Sequence, residues 1–439
     1  MTAKTLTMSA CAAAMMAMAP AQATQEAVNF IWIVADDLGY SDVGFHGAED
    51  VLTPQMDRLA ADGVIMSTAY VSAPVCGPSR AGFHTGKYQH RFGHEILVSD
   101  SGMGTPLDEL MIQEHLLTLD YQTGLIGKFH DGKAEKYQPH NRGYAETFAF
   151  NSGASAYWVG DNSKGMLKRN GVPVEREDRY LTDAMGQEAV DFITRNADKP
   201  FFLQVAFTAP HAPMQATEEK LKEYEHIKGK RQILAAMISS MDDNIGLILD
   251  SLEEQGLADN TMVVLFSDNG GKFQHGGENG PLRGQKGSTF EGALRVPFVA
   301  KLPGVIPAGS QSDVMISALD LFPTTVKLAG GELDPTWELD GKDILPVLSG
   351  DSDVSPHERL FWRFNQHWAL REGDWKLMKS GRPSDPMMLF NIAEDIGEEN
   401  DLVRQFPERA QEMRKTWNEI SSEVGGAAWG RYKGEVERK

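Results

Sequence analysis

Two pairs of oxygen-bearing side chains stand at the ends of apolar runs. Phe30 to Ala35 leads into Asp36-Asp37, and Val263 to Ser267 leads into Asp268-Asn269 and two glycines. Adjacent carboxylates at the end of a buried run repel each other unless a cation lies between them. Three carboxylates and an amide, with no Cys or His pair, describe a site for a hard cation, calcium first and magnesium second. A third element is Val75-Cys76-Gly77-Pro78-Ser79-Arg80. Pro78 suits the first position of a helix, so Cys76 is predicted just before a helix start. There the free N–H groups and helix dipole favour negative charge on the 76 side chain, and Arg80 is close enough to reach back across the turn. Lys128, His130 and His211 follow other apolar runs, and Lys286 lies in a glycine-bearing stretch. Singly, each is an ordinary loop lysine or packed histidine. Their joint placement is what suggests chemistry.

The elements that must position these residues alternate between two periods. Phe30 to Ala35, Thr123 to Gly127, Phe201 to Phe207 and Met262 to Phe266 are short runs that read as buried strands covered on both faces. Amphipathic stretches lie between them, at Thr53 to Asp62, Leu107 to Leu119, Asp183 to Asn196, Arg231 to Gln255 and Ser317 to Ala329. This alternation predicts an α/β fold with a mostly parallel central sheet sandwiched by helices. In such a sheet ligands bind beyond the carboxyl ends of the strands, where Asp36-Asp37 and Asp268-Asn269 can meet. From about Glu358 the texture changes to closely spaced strands, Leu360 to Phe364, His367 to Arg371, Trp375 to Lys379 and Met387 to Asn391, then a helix at about Pro407 to Ser422. This is a smaller antiparallel sheet plus helix, giving a catalytic unit at 24–352 and a C-terminal subdomain at 353–439.

The chain has 439 residues, with 42 Lys and Arg against 62 Asp and Glu and a net charge of −20. That balance argues against a sequence-independent nucleic-acid binder and against a basic membrane-surface helix. It does not exclude an anionic substrate, because a local cluster of Lys, Arg and metal reverses the field inside one pocket. Residues 1–23 read as a secretory signal peptide: Lys4, an apolar stretch from Ala10 to Ala19, then Ala21-Gln22-Ala23. No later run is long enough for a membrane span. Export, to the periplasm or beyond, removes Cys11 and leaves Cys76 as the single thiol, so no internal disulfide is available.

Cys76-x-Pro78-Ser79-Arg80, followed by Thr85-Gly86, resembles the signature of the type I sulfatases of the alkaline phosphatase superfamily. Other blocks appear in that family's order: Asp36-Asp37-Leu38-Gly39-Tyr40-Ser41-Asp42, Gly127-Lys128-Phe129-His130, Pro210-His211-Ala212-Pro213, Ser267-Asp268-Asn269-Gly270 and Leu282-Arg283-Gly284-Gln285-Lys286-Gly287. The resemblance runs from about Asn29 to Trp417. It implies hydrolysis of a sulfate ester, with a sulfated small molecule, oligosaccharide or polysaccharide as substrate. It further implies that a formylglycine-generating enzyme oxidises Cys76 to formylglycine, whose hydrate attacks sulfur. Asp36, Asp37, Cys76, Asp268 and Asn269 would surround the cation. Lys128 and Lys286 would hold sulfate oxygens, His211 would protonate the departing alcohol, and His130 and Arg80 would orient the diol. Phe129 and Asp131 depart from the family's usual Trp and Leu, putting another acid near the anion pocket.

Some residues stay open on the sequence alone. Arg91 and His94, in the polar stretch Tyr88 to Glu95, are candidates for the substrate mouth or for a packed loop. His84 and His275 are undecided imidazoles, and Trp158, Trp368 and Trp429 either stack on sugars or pack. Two alternatives accompany the main reading: a phosphate or phosphonate monoester hydrolase of the same superfamily, and a non-catalytic sulfated-glycan-binding protein.

Overall fold

A computed structural model describes residue 1 and residues 27–96, 103–160, 166–382 and 384–426. The predicted signal peptide, apart from its first residue, and Trp429 lie outside the described residues.

The strands, in chain order, are β1 (Asn29–Ala35), β2 (Val64–Met66), β3 (Ala69–Tyr70), β4 (Gln122–Lys128), β5 (Glu146–Phe150), β6 (Lys168–Arg169), β7 (Val172–Pro173), β8 (Phe201–Ala206), β9 (Thr261–Ser267), β10 (Phe298–Lys301), β11 (Ser310–Ser312), β12 (Ile316–Ser317), β13 (Arg359–Phe364), β14 (His367–Glu372), β15 (Trp375–Lys379) and β16 (Met388–Asn391). Ten of them form one sheet in the order β11-β2-β10-β9-β1-β8-β4-β5-β6-β7. Its centre, β9-β1-β8-β4-β5, is parallel, and β10 and β6 pair antiparallel on either side. The helices are α1 (Pro54–Ala61), α2 (Cys76–Thr85), α3 (Ile112–Leu117), α4 (Leu181–Arg195), α5 (Glu218–Glu223), α6 (Gly229–Glu254), α7 (Glu291–Leu294), α8 (Leu321–Leu328), α9 (Leu345–Leu348) and α10 (Pro407–Glu423).

The unbroken apolar runs of the central strands follow from burial on both sides. In β1, Ile31, Ile33 and Ala35 enter one core with residues of α1, α4 and α6, while Phe30, Trp32 and Val34 enter a second with α2, α3, α8 and α9. Side chains alternate across a strand, so a sheet packed on both faces favours apolar residues in both directions. The C-terminal strands form a separate antiparallel sheet in the order β13-β14-β15-β16, and Trp368, Leu370 and Leu377 pack on α10 through Met413 and Trp417. The predicted α/β sandwich with a smaller antiparallel companion is therefore what forms.

Two helices differ from expectation. The stretch predicted from Leu107 becomes helical only at Ile112, where the Glu114 carboxylate accepts the Met111 N–H. The stretch predicted from Ser317 starts as β12 and becomes α8 at Leu321, because Asp320 accepts the Ser317 N–H and sets a capped turn between them.

Candidate active site

Four neighbouring parallel strands deliver their following residues to one edge of the sheet. In spatial order, β9 delivers Asp268 and Asn269, β1 delivers Asp36 and Asp37, β8 leads through Pro210 to His211, and β4 ends on Lys128 ahead of His130. The two carboxylate segments are stitched together. Asp37 N–H donates to Asp268 Oδ1 at 3.3 Å, Asn269 Nδ2 donates to Asp37 Oδ1 at 2.8 Å, and Ser267 Oγ accepts Leu38 N–H at 3.0 Å. Asp37 adopts a left-handed φ of 68°, which turns the chain sharply after β1.

The α2 helix begins at Cys76 itself, so Pro78 stands at its third position rather than its first, as predicted. The missing N–H costs nothing there either, since the first-turn donors lack intrahelical partners. Every residue of α2 is buried. Arg80 Nε donates to Asp268 Oδ2 at 2.9 Å and Nη1 to the Lys128 carbonyl at 2.7 Å, tying the helix to β9 and β4. Lys128 is buried with Nζ 2.6 Å from Asp36 Oδ2. Lys286 Nζ lies 2.5 Å from Asp37 Oδ1 and 3.9 Å from Cys76 Sγ.

Each of the first two carboxylates thus commits one oxygen to a lysine. Asp36 Oδ1, Asp37 Oδ2 and Asn269 Oδ1 are buried and accept no hydrogen bond among the described residues. One oxygen each of Asp36 and Asp268 and the Cys76 sulfur lie within 4.8 Å of one another, as do single ligand atoms of Asp36, Asp37 and His211. Buried oxygens without donors are costly unless something else satisfies them, and an all-oxygen donor set suits a hard cation. The residues present therefore fit calcium or magnesium.

The electrostatics match that geometry. Burial and the neighbouring Asp36 carboxylate push the Asp268 carboxyl up to about 6. Burial acts on Asp36 in the same sense but is outweighed by the cationic groups around it, chiefly His211 and Lys128, which hold it below the usual carboxylate range. Burial pushes the Cys76 thiol up despite Lys128 and Lys286. His130, at φ 63°, is driven well below the ordinary imidazole value by burial and then by Lys128 and Arg80. His211 is less enclosed: its Nδ1 contacts the Ala212 carbonyl at 2.6 Å and its Nε2 lies 3.8 Å from Asp37 Oδ2.

His94 is buried beside the start of α2, where a Cβ on Gly77 would lie 3.6 Å from its Nε2 and 3.7 Å from His130 Cε1. Arg91 is placed differently. Its guanidinium forms a two-pronged pair with Asp340 at 2.8 and 2.7 Å and reaches Glu423 at 3.0 Å, so it braces the loop against the C-terminal helix instead of facing the carboxylates. Asp131 also turns away from the anion pocket: it accepts Thr105 N–H and Oγ1–H and lies 3.8 Å from Arg142. His84 is a core residue bonded to Gln204, and Trp368 packs on Trp417. Trp158 is 48% exposed, and His275 lies with its ring 6.5 Å from that of His211.

Asn279 went unnoticed in the sequence. Its side chain accepts N–H groups of Tyr40 and Gly271 and donates to the carbonyls of Gly271 and Gly284, joining both carboxylate segments to the Lys286 loop. A lone Asn among glycines carries no signal beyond a turn.

This arrangement has counterparts in known proteins. The sulfatase family profile matches residues 28–331, and the profile for the C-terminal part of N-sulphoglucosamine sulphohydrolase matches 284–423. Mouse arylsulfatase J is 34% identical over 368 residues, covering 79% of this chain and 61% of that protein, so the chain spans less than two thirds of this relative. Human N-acetylgalactosamine-6-sulfatase is 32% identical, covering 79% of this chain and 74% of that protein. The crystal structure of Ps i-CgsB in complex with k-i-k-neocarrahexaose superposes with a TM-score of 0.87 at 34% identity, covering 94% of this chain and 96% of that one. With a profile running from the first strand past α8, and relatives of this identity along most of its length, the chain belongs to the sulfatase family.

Proposed function

We propose that the protein hydrolyses sulfate esters of carbohydrates, with Cys76 matured to formylglycine. The observation that carries this reading is the convergence of three donor-free buried oxygens, from Asp36, Asp37 and Asn269, with Cys76, Lys128, Lys286 and His211 at one sheet edge. The carbohydrate is supported by the relatives: one is named for an N-acetylgalactosamine sulfate, and one solved structure holds a neocarrahexaose. The Ala-rich start and its A-x-A end support an exported protein, periplasmic or secreted. Among the described residues no helix is long and apolar enough to cross a membrane.

Asp36, Asp37, Asp268 and Asn269 would hold a calcium ion, with magnesium the second choice, and the 76 side chain would complete the set. When present, the cation supplies Lewis acidity and the oxidised, hydrated residue 76 supplies a hydroxyl nucleophile. The remaining work belongs to the chain's own groups. Each lysine ammonium has three N–H donors. With one committed to Asp36 or Asp37, Lys128 and Lys286 retain others for the sulfate oxygens, whose charge grows as the ester bond breaks. Placing the His211 Nδ1–H on the Ala212 carbonyl makes Nε2 the position that carries the proton for the departing alcohol oxygen. His130, beside the start of α2, would orient the residue 76 diol. Arg80 fixes the helix start against Asp268.

Parallel assays of sulfate and phosphate monoesters with matched leaving groups test the reaction class. Faster release of sulfate supports the reading, and faster release of phosphate overturns it.

A further inference from the structure

The side chain of Lys286 sits at the tip of a loop whose two ends are held by one residue of the C-terminal subdomain. Glu398 is fully buried, in the turn region between β16 and α10. Its backbone carbonyl accepts Arg283 Nη1–H at 2.6 Å, and its side-chain Oε2 accepts the Glu291 N–H at 2.7 Å. Arg283 and Glu291 flank Lys286 on either side, and Gly292 N–H closes the neck of the loop on the Arg283 carbonyl at 2.7 Å. Glu398 Oε1 is in turn 2.9 Å from Nζ of Lys376, the second residue of β15, and the same ammonium donates to Glu291 Oε1 at 2.8 Å. At the tip, Lys286 N–H donates to the Gly271 carbonyl and Gly287 N–H to the Pro74 carbonyl, next to the cysteine loop.

We infer that Glu398, braced by Lys376, is a positioning residue that holds the Arg283–Glu291 loop so that Lys286 reaches Asp37 and the sulfate. The inference rests on the reading above that Lys286 contacts the substrate. It gives the C-terminal subdomain a part in catalysis: Lys376 of the antiparallel sheet and Glu398 of the turn region that follows it brace a loop of the α/β domain. A lysine at the end of a long stem needs its backbone fixed, because a displacement of about 1 Å at a reacting group costs up to about a hundredfold in rate.

Two measurements on the matured full chain test this. Hydrogen exchange over residues 284–291 reads the clamp without needing turnover: Glu398→Ala is expected to speed exchange there by about tenfold or more while the central strands stay protected. Unchanged exchange in that loop overturns the inference. The second is a double-mutant cycle on kcat/KM. Glu398→Ala is expected to lower kcat/KM by about ten- to a hundredfold in the wild-type background and to cause no further loss once Lys286→Ala is present. Glu398→Gln, which keeps an acceptor for the Glu291 N–H, is expected to recover most of the loss. An equal fold-loss with and without Lys286 identifies a merely structural residue and overturns the inference. If Glu398→Ala does not fold, Arg283→Ala carries the same cycle and the same exchange experiment with the same deciding outcomes. If the wild-type protein releases no sulfate, the functional reading falls, and the clamp is judged by exchange alone.

Discussion

Asp36 and Asp37 each split their two oxygens between a lysine and a site where no donor among the described residues reaches them. At this scale the sequence was informative about residue types and silent about which oxygen does what. Carboxylates after apolar strands, and a lone Cys at a helix start, were legible because each is unusual where it stands. Arg91 was not, since a guanidinium in a polar loop looks the same whether it meets a substrate or Asp340. Trp158 is an exposed aromatic next in sequence to Tyr157, which donates its hydroxyl to the His211 carbonyl at 2.9 Å. Trp158→Ala is therefore expected to raise KM for a sulfated oligosaccharide by roughly three- to tenfold, or ~0.5–1.5 kcal/mol, as for other aromatic contacts. Steady-state kinetics should show turnover of a small aryl sulfate unchanged. His84 carries a pH prediction. Burial holds it down to about 3 from an ordinary 6.5, although Gln204 accepts its Nε2–H. A folded value below the unfolded one means that the folded state binds fewer protons as pH falls. Stability from this group is thus present above about 6.5 and lost at about 1.4 kcal/mol per pH unit below it. Denaturant unfolding should find His84→Asn less stable than wild type at pH 7, with the gap narrowing at pH 5.

At the scale of elements, the central strands were readable because burial on both faces leaves them mostly apolar, the buried Gln204 of β8 being hydrogen-bonded to His84 and Tyr144. The outlying strands β6, β7 and β11 were not, being two or three residues long with no period to detect. Strand ends decide the site, and Gly127 shows how closely they are packed. It has φ +103°, is paired with Ala206, and a Cβ there would lie 2.0 Å from the Ala206 carbonyl oxygen. Neither the backbone angle nor the space accepts a side chain, and the next residue is Lys128. Gly127→Ala is expected to destabilise the protein by about 1–3 kcal/mol, read by denaturant unfolding, and to reduce sulfate release by displacing the Lys128 ammonium from Asp36.

Across the whole molecule, the site joins residues that the chain keeps far apart: Asp37 and Asp268 are 231 positions apart in sequence yet share a hydrogen bond. Sequence spacing gives no hint of that contact. Strand order does, since β9, β1, β8 and β4 are adjacent and parallel. The link between the C-terminal sheet and the Lys286 loop was equally hidden, because Glu398 and Lys376 are indistinguishable in sequence from surface charges. The chain carries a net charge of −20 and concentrates three aspartates at this edge, so a bound cation should stabilise the fold as well as the reaction. Adding calcium to chelator-treated protein is expected to raise the unfolding midpoint. The gain corresponds to about 2.7 kcal/mol at a hundredfold excess over Kd, and Asp36→Asn should abolish most of it.

The central claim, that residue 76 and a cation cleave a sulfate ester, is tested most directly by following inorganic sulfate release from a sulfated oligosaccharide by two preparations. One is active protein whose residue 76 peptide is checked by mass spectrometry, and the other is Cys76→Ala. The account predicts that release scales with the fraction of Cys76 converted to the aldehyde and vanishes in the variant. Undiminished release by Cys76→Ala would contradict it.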